Sequence, residues 1–310
     1  MAQTTNPISK PISALDSRRE GGIGPQMRFV YLALHLLPLT AFWTGITVWD
    51  ALLAFVLFNV RGFLMAGGYH RYFAHRSYKT SRWFQLLMAA GACTAFRGGP
   101  LWWAGLHHHR YSDTGDDVHS PAKGGLWTYA GWLLSGRFTE TPYALVLDLA
   151  AFPELRWLNR NWLLPPAILG SLVFLVGGWS AFAIGFCLSS AILLHSLALG
   201  DLLAHSFGSR RYDTPDTSRN SYLVSLFFLG EGWHNNHHHY QRSTNQGFFW
   251  WEVDGAYTVL RGLALARLVW RLHTPPENVL SRNRIESEVG DARTSEVETD
   301  GLDPSRQADR

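Results

Sequence analysis

The chain has 310 residues, with 27 Lys or Arg against 24 Asp or Glu, a formal charge of +3, and two cysteines. That balance argues against a strongly basic nucleic-acid binder. Cys93 and Cys187 lack the spacing of a thiolate metal site and read as inert thiols in apolar stretches. Apolar residues make up 47% of the chain but are gathered in blocks, so a mean hydropathy near zero averages membrane-length runs with polar connections and a charged tail.

Residues 1–26 are polar, end in Gly21-Gly22-Ile23-Gly24-Pro25 and lack the apolar core of a secretory signal; a loose cytosolic arm is expected. Four stretches, at about 28–46, 49–68, 162–178 and 180–202, approach the roughly 20 residues that cross a bilayer. Short connections, Gly45 to Asp50 and Gly177 to Ser180, pair them into two helical hairpins. Neither connection holds Lys or Arg. The arm, the segment from Arg71 to Arg160 and the chain after His205 are arginine-rich, so the positive-inside rule puts both termini and the central region in the cytosol. Trp83 to Trp103 is also apolar, but Arg97, its glycines and Pro100 interrupt it, and a helix lying in or dipping into the interface is expected there. This makes 27–274 one membrane domain, followed by a disordered tail over 275–310, rich in Arg, Glu, Asp and Ser.

Fourteen histidines are present, and most fall where this topology returns the chain to the cytosolic surface: His70 and His75; His107, His108 and His109; His205; and His234, His237, His238 and His239. Imidazole suits iron, copper, nickel or zinc, and eight or nine rings exceed the needs of one ion, so two metals are expected. His234, His237 and His238 stand at i, i+3 and i+4, on one helix face, and can converge on one cluster. His70 and His75 are about 140° apart on an ideal helix and share a metal only across a frayed end or turn. Three consecutive histidines, His107 to His109, sweep about 200° and cannot all face one ion. His35, His195 and His273 read as structural; His119, after Asp116 and Asp117, reads as structural or as a partner to a ligand.

At these residues the chain resembles the membrane acyl-CoA desaturase family, of the stearoyl-CoA, delta-9 type, and its bacterial relatives, over about residues 28–272. HRYFAHRSYKTSR (70–82) resembles the first histidine box, SDTGDDVHSP (112–121) the segment after the second, LLAHSFGSRRY (202–212) the region after the fourth span, and GEGWHNNHHHY (230–240) the third box. The resemblance implies an all-α integral-membrane fold, four transmembrane helices under a cytosolic helical cap that holds two irons with nine histidines. By match, His70, His75, His108, His109, His205, His234, His237 and His238 are ligands. The second box departs from the family's H-x-x-H-H: aligned on HHRYSD, its leading position falls on Gly105; aligned on the preceding tryptophans, it falls on His107 but Arg110 and Tyr111 take the paired positions, so neither restores the box and His107 is a candidate ninth ligand. Asp201, four residues before His205, stands where the family has an asparagine that holds an iron-bound water; a carboxylate there accepts from such a water or binds iron.

The resemblance further implies an oxygen-dependent acyl-CoA desaturase, commonly forming a delta-9 double bond, with electrons from a separate cytochrome b5 or ferredoxin-type donor and its reductase. Removing hydrogen from an unactivated methylene needs a metal-bound oxidant, and an apolar tunnel would place one carbon pair beside it. Basic residues near the first box, Arg71, Arg76, Lys79 and Arg82, would lie near the membrane surface, where such residues meet a carrier's phosphates. The chain lacks a Gly-rich nucleotide-binding signature. The competing readings are a related di-iron hydroxylase, a histidine-rich metal carrier, and a desaturase-like protein impaired by its second box.

Overall fold

The computed structural model describes residues 22–24, 26–110, 124–135 and 138–285, apart from the side chains of His109, Arg110, Thr128, Ala130 and Leu133. These residues are mostly helical, with one two-stranded antiparallel ribbon, β1 (Lys79–Thr80) against β2 (Val269–Trp270).

The first helix, α1 (Gln26–Leu36), continues through a 3-10 turn at Leu37–Thr40 into α2 (Ala41–Thr44), which ends at Gly45 with φ of +77°. Thr47 opens α3 (Val48–Phe63) with a reciprocal cap: its hydroxyl accepts from the Asp50 amide at 3.2 Å, and the Asp50 carboxylate accepts from the Thr47 amide at 2.8 Å. Such a cap contributes about 0.5–2 kcal/mol. Helical backbone continues through wider π turns over Leu64–Ala74, and the 27 residues Val48–Ala74 are long and apolar enough to cross a membrane.

Next come α4 (Arg82–Cys93) and α5 (Pro100–Arg110), separated by a reversal in which Phe96 and Gly98 have φ of +58° and +83°. The Trp83 to Trp103 stretch is therefore two helices. The 12 residues of α4 extend about 18 Å, well short of the roughly 30 Å of hydrocarbon. Short helices α6 (Trp132–Leu134), α7 (Leu147–Ala150) and α8 (Pro153–Arg160) lead to α9 (Leu164–Ser180), a π segment at Ala181–Leu188 and α10 (Ser189–Ser206). The 43 residues of Leu164–Ser206 would extend about 65 Å as one rod, some twice a bilayer core. Gly178, at φ 72° and ψ −165°, breaks them where the short connection was expected.

The two connections are tied together. Trp179 Nε1 donates to Thr40 Oγ1 at 2.9 Å, and the Ser180 hydroxyl donates to the Asp50 carboxylate at 2.7 Å. Deeper in the helices, buried Arg61 donates to the hydroxyls of Ser190 at 2.6 Å and Ser189 at 2.5 Å and lies over the Phe186 ring, which ties α3 to α10 and the π segment before it. Phe29, Leu32, Leu36, Phe55, Val56, Val60, Ile168, Leu172, Leu175 and Val176 point outward and are exposed. In water these ten side chains would forgo roughly 15–30 kcal/mol of burial. That exceeds the stability of an ordinary domain, about 5–15 kcal/mol, and a hydrocarbon environment removes the deficit. This is the surface of a membrane protein.

The remaining helices, α11 (Tyr222–Phe227), α12 (His234–His239), α13 (Gly255–Leu265) and α14 (Glu277–Ser281), carry and brace the third histidine group. Residues just beyond the expected boundary at 274 also meet the domain. The Tyr212 hydroxyl donates to the Leu280 carbonyl at 3.1 Å, and the Ile285 amide donates to Arg211 at 2.8 Å, so residues 275–285 are packed against the domain. Residues 286–310 of the expected tail, and residues 1–21 and 25 of the expected arm, lie outside the described residues.

Candidate metal centre

Two groups of histidines stand side by side. His70, His75, His107 and His237 form one, His205, His234 and His238 the other; within each group one nitrogen per ring lies within 4.8 Å of all the others. One ion about 2 Å from each donor spans such a set with small adjustments.

His70 and His75 meet because the backbone between them is a π turn. The His75 amide donates to the His70 carbonyl at 3.2 Å, an i→i+5 bond, and the wider turn brings both rings to one side, 5.0 Å apart. The 140° separation expected on a regular helix does not apply here. His107, on α5, points its Nε2 at His75 Nε2, 3.0 Å away, and stacks on Trp103 one turn earlier, with centroids 5.1 Å apart. His108 instead bonds the Ala74 carbonyl and stands outside both groups. The His109 side chain and His119 lie outside the described residues. A Cβ at Gly105 would come within 2.6 Å of the Pro142 ring, so a side chain cannot occupy that position without moving Pro142.

The third box does not converge on one cluster, as its common face suggested. His234 and His238 join His205, while His237 turns to His70 and His75. On α12, His237 is about 100° from His238, so one broad face serves two adjoining groups. His239 leaves the centre altogether: it stacks on Tyr212 at 3.9 Å and bonds the Val279 carbonyl. His35 and His195 bond one another through their Nε2 atoms at 2.8 Å, away from both groups. Asp201 lines the cavity beside the centre with His70, His107 and His234, but belongs to neither histidine group.

The rings are presented as ligands. His70 Nδ1 donates to the Glu231 carboxylate at 2.5 Å, and His238 Nδ1 donates to Asp216, so each Nε2 keeps its lone pair. His205 Nδ1 lies 3.2 Å from Thr217 Oγ1. Paired Nε2 atoms face each other at 3.0 Å for His70 and His237 and 3.2 Å for His205 and His234, a spacing suited to a shared cation. Burial holds His75 and His237 well below the ordinary histidine range, reinforced by the neighbouring imidazoles, which favours the neutral, lone-pair-donating form. Burial alone would raise Glu231 and Asp216. The hydrogen bond from His70 and the charge of Arg71 outweigh it at Glu231, as do the hydrogen bonds from His238 and Ser218 at Asp216, and both carboxyls are held low. Asp254 goes the other way: its burial outweighs Arg71 and raises it.

Arg71 is thus not a surface cation. It is buried between Asp254 at 3.1 Å and Glu231 at 3.3 Å, and braces the carboxylate that orients His70. Arg76 and Arg82 pair with Asp148 and Glu154. Glu231, Asp216, Thr217 and Gln246, whose amide lies 3.4 Å from His70 Nδ1, were not identified from the sequence. Glu231, three residues before His234, was the one with a local signal.

A helical membrane protein with metal-binding histidine groups at one end of apolar helices is defined by this geometry. The chain belongs to the fatty acid desaturase family, whose sequence pattern matches residues 42–274. It is similar to an sn-1 stearoyl-lipid 9-desaturase of Anabaena variabilis, 35% identical over 254 residues, covering 79% of this chain and 93% of the relative. A protein of the same description from Synechocystis sp. is 32% identical, covering 82% and 81%. Delta-9 acyl-lipid desaturase 2 of Arabidopsis thaliana is 32% identical, covering 74% and 76%. Membership makes the protein an oxidoreductase of lipid metabolism with a metal cofactor.

Proposed function

We propose that this protein is an oxygen-dependent acyl-lipid desaturase that forms a cis double bond, at the delta-9 position, in a saturated chain, with two irons held by the seven clustered histidines. The observation that carries this reading is the pair of adjoining histidine groups at one end of an apolar cavity. Bound there, iron would supply with O2 the oxidising chemistry that removes hydrogen from unactivated methylenes. The chain's own part is placement. Glu231 and Asp216 fix ring tautomers, Trp103 and Leu106 help to exclude water, and Asp201 offers a carboxylate to the same cavity.

The sequence resemblance favoured acyl-CoA, and a more distant relative is named an acyl-CoA 5-desaturase. An acyl-lipid substrate is supported by the names of the relatives above. It is also supported by the cavity's lining, in which Arg97 is the one Lys or Arg among the described residues. Arg97 already donates to the Leu194 carbonyl at 3.3 Å and lies over the Trp132 ring.

The membrane arrangement proposed is four crossings in two hairpins. The tied connections at Gly45 and Gly178 lie at one end, and the histidines lie about 33 Å along α3 and its extension, on the cytosolic side. Electrons would come from a cytochrome b5 or ferredoxin-type donor. The test is gas chromatography–mass spectrometry of acyl chains in a desaturase-deficient host, with His237→Ala as control. Purified protein given stearoyl-CoA or a stearoyl lipid in nanodiscs then separates the carriers. A monounsaturated product from the lipid alone is expected; product from stearoyl-CoA alone would restore the acyl-CoA reading.

A further inference from the structure

The cavity that reaches His70, His107 and His234 has a neighbour. A second cavity, of about 290 Å³, shares Phe58, Ser196, Phe227 and Phe228 with the first, so these side chains line both. The second cavity is otherwise lined by Leu199, Leu203, Leu223 and Val224. It lies where α3, α10 and α11 come together.

Its rim is on the outside of the protein. Leu199 is 41% exposed, Leu223 65% and Phe227 66%, and Phe55 and Val56 of α3 also face outward. The helix α11 has the composition of a sill: Tyr222, Leu223, Leu226 and Phe227 all point outward, while Val224 and Ser225 are buried beneath them. Phe228 is seated on α10 at Gly200, where a Cβ would come within 3.3 Å of its ring. An aromatic ring held against a helix backbone by contact alone can turn aside without breaking a hydrogen bond.

Building on the acyl-lipid reading, we propose that the acyl chain of a bilayer lipid reaches the metal centre sideways, entering between α3 and α10 over α11. Phe228 is the inner partition that it displaces. The chemistry of the walls selects this occupant. A methylene chain passes from the bilayer interior onto such a lining without exposing apolar surface to water. Among the described residues no Lys or Arg lines the second cavity, so a phosphate-bearing carrier would find no counter-charge at this entrance.

The full-length, iron-loaded protein is placed in nanodiscs of phosphatidylcholine carrying a diazirine at the acyl terminus. In a parallel arm, the lipid is unlabelled and an acyl-CoA carries the diazirine. After irradiation, adducts are mapped by mass spectrometry. The expected result is lipid-probe adducts at the rim, Leu199 or Leu223, and inside, at Met65 or Leu197. Leu223→Trp and Leu203→Trp, which narrow the mouth, should each reduce the inner adducts at least about fivefold at unchanged iron content and thermal midpoint. Phe228→Ala, which opens the partition, should raise them.

Inner adducts that survive both tryptophan variants, or that arise only from acyl-CoA, overturn the route. Labelling reports occupancy rather than turnover, so the two readings fail separately. A protein that labels along the groove but makes no double bond keeps the route and loses the desaturase assignment. One that makes double bonds with an unlabelled groove loses the route alone.

Discussion

The His75 amide donates to the His70 carbonyl across five residues, at 3.2 Å, and this single backbone bond brings two rings of the first box into one group. Inserting one alanine between Ala74 and His75 would rotate the second ring away. The expected outcome is loss of the metal held by the four-histidine group with retention at the three-histidine group, seen as a fall from two ions per chain to one by plasma mass spectrometry.

The second box makes a sharper distinction. His107 faces His75, whereas His108 bonds the Ala74 carbonyl. His107→Ala should weaken metal retention against a chelator at least tenfold, about 1.4 kcal/mol, while His108→Ala retains metal near the wild-type level. The reverse order would return His108 to the ligand set.

The carboxylates behind the rings give a third expectation. Glu231→Gln and Asp216→Asn remove the charge that orients His70 and His238 but keep the side-chain shape. Each should cost about 10–100-fold in metal affinity, measured by chelator competition, with the helical circular dichroism spectrum unchanged.

Gly62 lines the main cavity eight residues before His70, about 12 Å along the helix. A Cβ there makes only ordinary contacts, 3.7 Å to Leu229 and 3.9 Å to Leu193, so the backbone admits a side chain, and Gly62→Leu would fill space away from the histidines. Product profiles should shift toward shorter chains by at least about tenfold relative to the longest, at unchanged iron content. An unaltered profile would remove this part of the cavity from the substrate path.

At the far end, Asp50 accepts from the Thr47 amide and from Ser180 and so closes a helix cap and ties two loops. Asp50→Ala should cost about 1–3 kcal/mol, read as a lower thermal midpoint in detergent, while Thr47→Ala costs about 1 kcal/mol.

The apolar blocks and the clustering of histidines were legible because both depend on composition over short windows. The exact grouping was not. His70 and His75 look misaligned under a 3.6-residue period, and only the π turn makes them neighbours; the common face of His234, His237 and His238 hides its division between two groups. Arg71 is another case: a run of basic residues reads as surface charge, but Asp254, 183 positions away, buries it. Glu231 and Asp216 were missed because a carboxylate supporting a histidine has no fixed spacing from it. Leaving Gly105 bare depends on Pro142, which no local pattern connects to the box.

The short helix α12 supplies rings to both groups, and its remaining side chains hold it in place. Asn235 accepts from the amides of Arg211 and Tyr212 at 2.8 Å, and Asn236 donates to Glu252 at 2.9 Å and to the Gln246 carbonyl at 3.0 Å. The gap between the two binding positions is therefore dimensioned by the polypeptide. Loading the two groups with zinc, manganese or iron should leave that gap almost unaltered, and any small molecule that comes to lie across it meets a width set in advance by two asparagines that belong to neither histidine group.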